Sequence, residues 1–140
     1  MKIVVGVDGS EHSMRAVAWC AKYAVQLGAE VVALHAIELP VYPMSMGFFA
    51  LPEYTETDRE KLAEVVSDQW CEPLRRAGVR FHSVIAEGYP TNLIREAADN
   101  EDADLVVVGS RGLGGFTGLL LGSTSHFLSH HLDRPLVIVP

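Results

Sequence analysis

Asp104-Leu105-Val106-Val107-Val108-Gly109 runs directly into Ser110-Arg111-Gly112-Leu113-Gly114-Gly115-Phe116-Thr117-Gly118-Leu119-Leu120-Leu121-Gly122, and then into Ser123-Thr124-Ser125. The texture changes twice in that stretch. An apolar, β-branched run of this length suits a strand covered on both faces. The segment after it is too rich in glycine for a regular element, and the hydroxyl cluster suits the opening of a helix. Strand, glycine loop and helix therefore follow one another.

The same order recurs on either side. Lys2 to Val7 is a short apolar strand broken by Asp8-Gly9-Ser10. Met14, Val17, Ala18, Ala21, Ala24 and Val25 then recur at three- and four-residue steps, predicting a helix over roughly 11–27 that Ser10 caps and Gly28 closes. Glu30 to Glu38 reads as a second strand, and Val79 to Ala86 as a third whose alternation suits a sheet edge. Thr55 to Gly78 has a helical period that Pro73 should kink or shorten. Pro90 starts a helix through about Asn100, residues 123–132 form another, and Leu136-Val137-Ile138-Val139 is the fifth strand. Strands alternating with helices require parallel pairing and right-handed crossovers. The expected architecture is an α/β fold, an open five-stranded parallel sheet of order 3-2-1-4-5 with helices on both faces. Ligands in such sheets sit at the carboxyl ends of the strands, where the winding reverses. Asp8 and Gly109 should face each other there.

Composition narrows the possible partners. The 140 residues read as one domain, and 49% hydrophobic content supplies a core. Eleven Lys plus Arg against 18 Asp plus Glu leave a net charge of −7, a surface that repels nucleic-acid backbones and anionic lipid. No apolar run reaches the ~18 residues of a membrane span, and the first residues read as a strand rather than a signal peptide. Cys20 and Cys71 form no CxxC pair and no disulfide framework. The expectation is a cytoplasmic location.

The glycine loop carries the chemistry. Six of the chain's 12 glycines fall in the 17 residues from Gly109 to Ser125. Glycine lets main-chain N–H groups converge on an anion without Cβ obstruction, and a helix N-terminus adds unpaired donors and a favourable dipole. Phosphate suits such a cradle. The chain's lysines are Lys2, Lys22 and Lys61, so a GxxxxGK[ST] loop is excluded in this half of the sequence. A dinucleotide GxGxxG fails because its third glycine would fall on Thr117, and no GxSxG nucleophile elbow is present. A glycine-rich turn with no ligand remains the plain alternative.

Gly109-x2-Gly112-x9-Gly122-Ser123 resembles the signature of the ATP-binding branch of the universal stress protein family. Val4 to Ser10 resembles that family's opening strand, Leu34-His35-Ala36 its second, Gly88-x-Pro90 the turn before its third helix, and Arg134 to Val139 its closing strand. The resemblance implies the adenine nucleotide alpha hydrolase-like fold and a homodimer. It also implies a bound ATP, or AMP or cyclic AMP, with Mg2+, in a regulator of the stress response whose ATP hydrolysis is at most slow. Carried over by position, Gly6, Val7 and Asp8 line the nucleoside, with Asp8 near the ribose, and the backbone of Ala36 meets the adenine edge. Gly109, Arg111, Gly112 and Gly115 wrap ribose and phosphates, while Gly122, Ser123 and Thr124 hold the phosphates. Position 36 is usually Val in the family; the smaller Ala36 alters packing on the base more than a main-chain contact.

Other residues admit two readings each. Asp8 is either a ribose or metal ligand, or a turn former in Asp-Gly-Ser. His126 and His130, one turn apart, either start a metal site or complement the dipole near a helix C-terminus. Arg111 reaches a phosphate or extends into solvent. The Met- and aromatic-rich segment 40–53 is a lid, a partner surface or a self-packed loop. Strand 136–139 is an apolar edge that invites pairing with a second copy. The rival function is a nucleotide-free protein-interaction module built on segment 40–53 and that edge.

Overall fold

Successive residues of β1 (Lys2–Gly6) serve different layers. Ile3 and Val5 are fully buried against α1 (Glu11–Leu27), whereas Val4 packs into the opposite layer. β2 (Glu30–Ile37) divides likewise, Val31 and Ala33 to the first face and Val32 and Leu34 to the second. Two covered faces explain why these strands are apolar throughout. The computed structural model describes residues 1–38, 54–113 and 120–140.

The sheet is five-stranded, with the order β3-β2-β1-β4-β5. Its remaining strands are β3 (Phe81–Glu87), β4 (Leu105–Gly109) and β5 (Leu136–Val139). All pairings are parallel: Val4 lies opposite Val32 on one side and Val106 on the other. α1 and α3 (Glu72–Arg76) cover one face; α4 (Pro90–Asn100) and α5 (Ser123–His131) contribute Ile94, Ala98 and Leu128 to the other. The sheet order and two-sided helix cover therefore match the sequence reading.

Two ends form as anticipated. The Ser10 hydroxyl accepts from the Ser13 N–H, and Gly28 closes α1 in the left-handed region at φ 60°. The second expected helix, over residues 55–78, departs from expectation. Thr55 caps α2 (Glu56–Glu64) in a reciprocal capping box with Asp58, but Val65–Trp70 is π-helical and the break falls at Cys71. Pro73 stands at the beginning of α3, where a missing N–H costs nothing. Sequence periodicity does not reveal the π turn because it adds only one residue to an otherwise helical pattern. β3 likewise starts at Phe81 rather than Val79, after a left-handed turn at Gly78.

Cys20 and Cys71 are both fully buried in the α1-side core. Burial pushes the Cys20 thiol up to about 12 and the Cys71 thiol up to about 11. Thiolate is the reactive form, so both should be inert in the folded protein. Ellman's reagent should consume no thiol before unfolding and two after it; fast labelling of the native protein would contradict this packing.

Gly109 ends β4 hard against the first turn of α1. A Cβ built there would lie 2.6 Å from the carbonyl carbon of His12 and 2.8 Å from the backbone nitrogen of Ser13. A Cβ at Gly6 would meet side chains rather than backbone, the tip of Ile94 at 3.1 Å and Val108 at an ordinary 3.5 Å. Gly109→Ala should therefore destabilise by about 1–3 kcal/mol, because the backbone of α1 must move. Gly6→Ala should cost less, since Ile94 can turn aside. Urea unfolding reads the difference as a fall in midpoint at constant slope; equal midpoints for the two variants would contradict it.

Candidate functional site

β1 and β4 are neighbours, yet the chain leaves them in opposite directions: β1 passes through α1 to β2, and β4 continues to β5. A cavity of about 750 Å³ opens at the carboxyl ends of β1, β2 and β4. That volume lies within the usual range for small-molecule sites.

Gly6, Val7 and Asp8 supply the β1 wall, while Leu34, His35 and Ala36 supply that of β2. Val108 and Gly109 close the β4 side, Arg111 and Gly112 begin the loop, and Gly122, Ser123 and Thr124 complete the far wall. The structure thus brings together Gly6, Val7, Asp8, Ala36, Gly109, Arg111, Gly112, Gly122, Ser123 and Thr124 around one space. Gly115 lies outside the described residues, as does segment 40–53.

Asp8 is half-buried and already engaged. Its Oδ1 accepts from the Ser10 N–H at 2.9 Å, the turn geometry typical of Asp before Gly. Its other oxygen lies against Gly112, where a Cβ would come within 2.7 Å of Oδ2. Glycine at 112 therefore lets the carboxylate approach the loop. The turn role and a place in the cavity wall coexist in one side chain.

The loop is closed at its base. The Gly122 N–H donates to the Ser110 carbonyl at 2.6 Å, bringing the last loop residue back beside the first. A Cβ on Gly122 would lie 3.2 Å from the Cα of Arg111, so this approach also favours glycine. The closure sets α5 with its N-terminus at the cavity. Gly122 is the N-cap of α5 and supplies no side chain to its first turn, unlike Ser10 at α1 and Thr55 at α2. The leading N–H groups of a helix have no acceptor within it, so this end suits an anion.

Three of the hydroxyl readings part ways here. Ser123 and Thr124 line the cavity, but Ser125 is buried and its hydroxyl donates to the carbonyls of Ser110 (2.8 Å) and Gly122 (3.1 Å). Ser125 braces the loop. His126 also needs correction: it stands in the first turn of α5 and lines the cavity, whereas His130 and His131 occupy the last turn. A C-terminal dipole role fits only the latter pair.

His35 was not singled out by spacing. Its Nδ1 lies 2.7 Å from the Val7 carbonyl, which it reaches as a donor, tying the ends of β1 and β2 together at the wall. Trp70, at the end of the π turn, meets His35 edge-on at 5.1 Å between ring centres. It also covers Gly9, where a Cβ would lie 2.5 Å from the indole. No periodicity rule links these positions; only the fold does.

For a metal, the donor set is thin. Among the described residues no group of three His, Cys, Asp or Glu side chains could hold an ion. Asp8 and Glu38 are the carboxylates among the described lining residues. Mg2+ commonly takes one or two carboxylates plus phosphate oxygens and waters. These residues fit an ion carried in by phosphates, with Asp8 able to join its shell.

The model of the universal stress protein family matches residues 1–140. A universal stress protein of Methanocaldococcus jannaschii is 32% identical over 145 residues, covering 99% of this chain and 81% of that protein. One of Mycolicibacterium smegmatis is 35% identical over 144 residues, covering 99% of this chain; the chain spans 45% of that protein's length. The crystal structure of a universal stress protein in complex with cAMP superposes with a TM-score of 0.71 at 26% identity, covering 100% of this chain and 96% of the other. The chain belongs to the universal stress protein family.

Proposed function

We propose that this protein binds an adenine nucleotide, ATP in the first instance, in the cavity between the ends of β1 and β4, as a nucleotide-dependent regulator of the stress response. The observation that carries this reading is the uncapped N-terminus of α5, held at the cavity by the closed glycine loop. Backbone N–H groups there would meet the phosphates, together with the Ser123 and Thr124 hydroxyls and Arg111. Leu34, Ala36, Ile94 and Val108 offer apolar surface to a base, and Asp8 a carboxylate to a ribose. The relative solved with cAMP supports an adenine nucleotide and makes cyclic AMP the second candidate.

Asp8 would help hold a Mg2+ ion, which would supply neutralisation of phosphate charge. The described wall offers no lysine, and we propose that hydrolysis is slow at most. We further propose a cytoplasmic homodimer paired through the β5 edge: Leu136 to Val139 are all half-buried at the end of the sheet, with hydrogen-bonding groups on one side unpaired by the sheet itself.

ATP at about 100 times its Kd should add ~2.7 kcal/mol of stability. That corresponds to a rise of about 5–10 °C in melting temperature for a domain of this size. The same titration with cyclic AMP and AMP ranks the ligands. Gly122→Val should weaken ATP binding by about tenfold or more through the displaced loop amides, with a native far-UV spectrum retained. A wild-type protein whose melting temperature no adenine nucleotide moves would overturn the reading. Sedimentation equilibrium should give twice the 15.3 kDa chain mass; a monomer at all concentrations would remove the homodimer.

A further inference from the structure

His126 is left without a structural task by the fold. It is exposed, unlike the buried Ser125 before it, and it lines the cavity together with Ser123 and Thr124. His131 uses Nδ1 to reach the Phe127 carbonyl at 2.9 Å and stacks on the Phe127 ring at 4.1 Å. Among the described residues the His126 ring makes no such hydrogen bond; its aromatic neighbour is His130, 4.9 Å away between ring centres.

The position is specific. Residues three apart on a helix share a face, so Ser123 and His126 present neighbouring side chains. Gly122 stands one turn before His126 and puts no side chain between the imidazole and the loop. The first turn of α5 therefore offers an incoming anion two hydroxyls and one imidazole, Ser125 being committed to the loop base. Of the charged side chains on the described wall, Asp8 and Glu38 are anionic and Arg111 is cationic. An imidazole N–H is the further donor this wall can offer to phosphate oxygens, and an anionic acceptor strengthens such a bond.

We infer that His126 is a specificity-determining residue of the nucleotide site, donating to the outer phosphates and thereby favouring ligands with a polyphosphate tail over those with a single phosphate. The inference rests on the proposed nucleotide reading and assigns to that site its means of counting phosphates. On this assignment adenosine and AMP do not reach His126, so their affinities should be insensitive to position 126.

Calorimetric titration of the full chain and of His126→Ala and His126→Gln with ATP, ADP, AMP and adenosine tests this. One charge-assisted hydrogen bond is worth roughly tenfold in affinity. His126→Ala should lose about that factor for ATP and leave AMP and adenosine unchanged, while His126→Gln, which keeps an N–H donor, should recover part of the loss. His126→Ala should melt at the wild-type temperature, since the ring is exposed. Wild-type ATP affinity in His126→Ala overturns the inference alone, as does an equal loss for ATP and adenosine. Failure of the unmodified protein to bind any of the four ligands overturns the site reading and this inference with it.

Discussion

Ser110 holds the functional end of the molecule together. Its N–H donates to the Val139 carbonyl at 2.7 Å, joining the end of β4 to the end of β5. Its carbonyl accepts from the Gly122 N–H at 2.6 Å and the Ser125 hydroxyl at 2.8 Å, which closes the loop and fixes the start of α5. Its own hydroxyl lies 3.3 Å from the His12 Nδ1 on α1. One buried residue thus ties two strands and two helices. Where a helix begins decides where its unpaired N–H groups point, so the placing of the α5 N-terminus at the cavity depends on this junction.

The glycines around Ser110 then separate by physical role. At Gly109 the crowding comes from the backbone of α1, so glycine is needed there whatever the cavity holds. Gly112 is kept small by the Asp8 carboxylate and Gly122 by the opposite end of the loop. Spacing alone presents these three as one phosphate-binding motif. In three dimensions the first packs the fold, the second seats a carboxylate, and the third closes the loop. A motif of this kind records packing constraints and ligand geometry together, because both require the same small residue.

The sheet order was legible because burial on both faces leaves strands continuously apolar and because helices between them dictate parallel pairing. The α1 caps were legible for a local reason: Ser10 and Gly28 act within one turn of themselves. Less legible were features that depend on contacts distant in sequence. Trp70, at the end of the π turn, reaches His35 and Gly9 across the fold, and His35 meets Val7 where β1 and β2 pair. His126 was misplaced by a shift of perspective along a short helix: in a nine-residue element, one turn separates the anion-favouring end from the cation-favouring end. In the hydroxyl run at 123–125, helix geometry turns the third inward toward Ser110. The place of the cavity was therefore legible, while the division of labour among its residues required the fold.

The most direct measurement is a titration of isotopically labelled protein with ATP, followed through its backbone amide resonances. If main-chain groups gathered at the start of α5 receive the phosphates, the amides of Gly112, Ser123 and Thr124 should show the largest saturable shifts, and those of β3 should stay still. Shifts centred elsewhere, with these amides unmoved at saturation, would contradict the account.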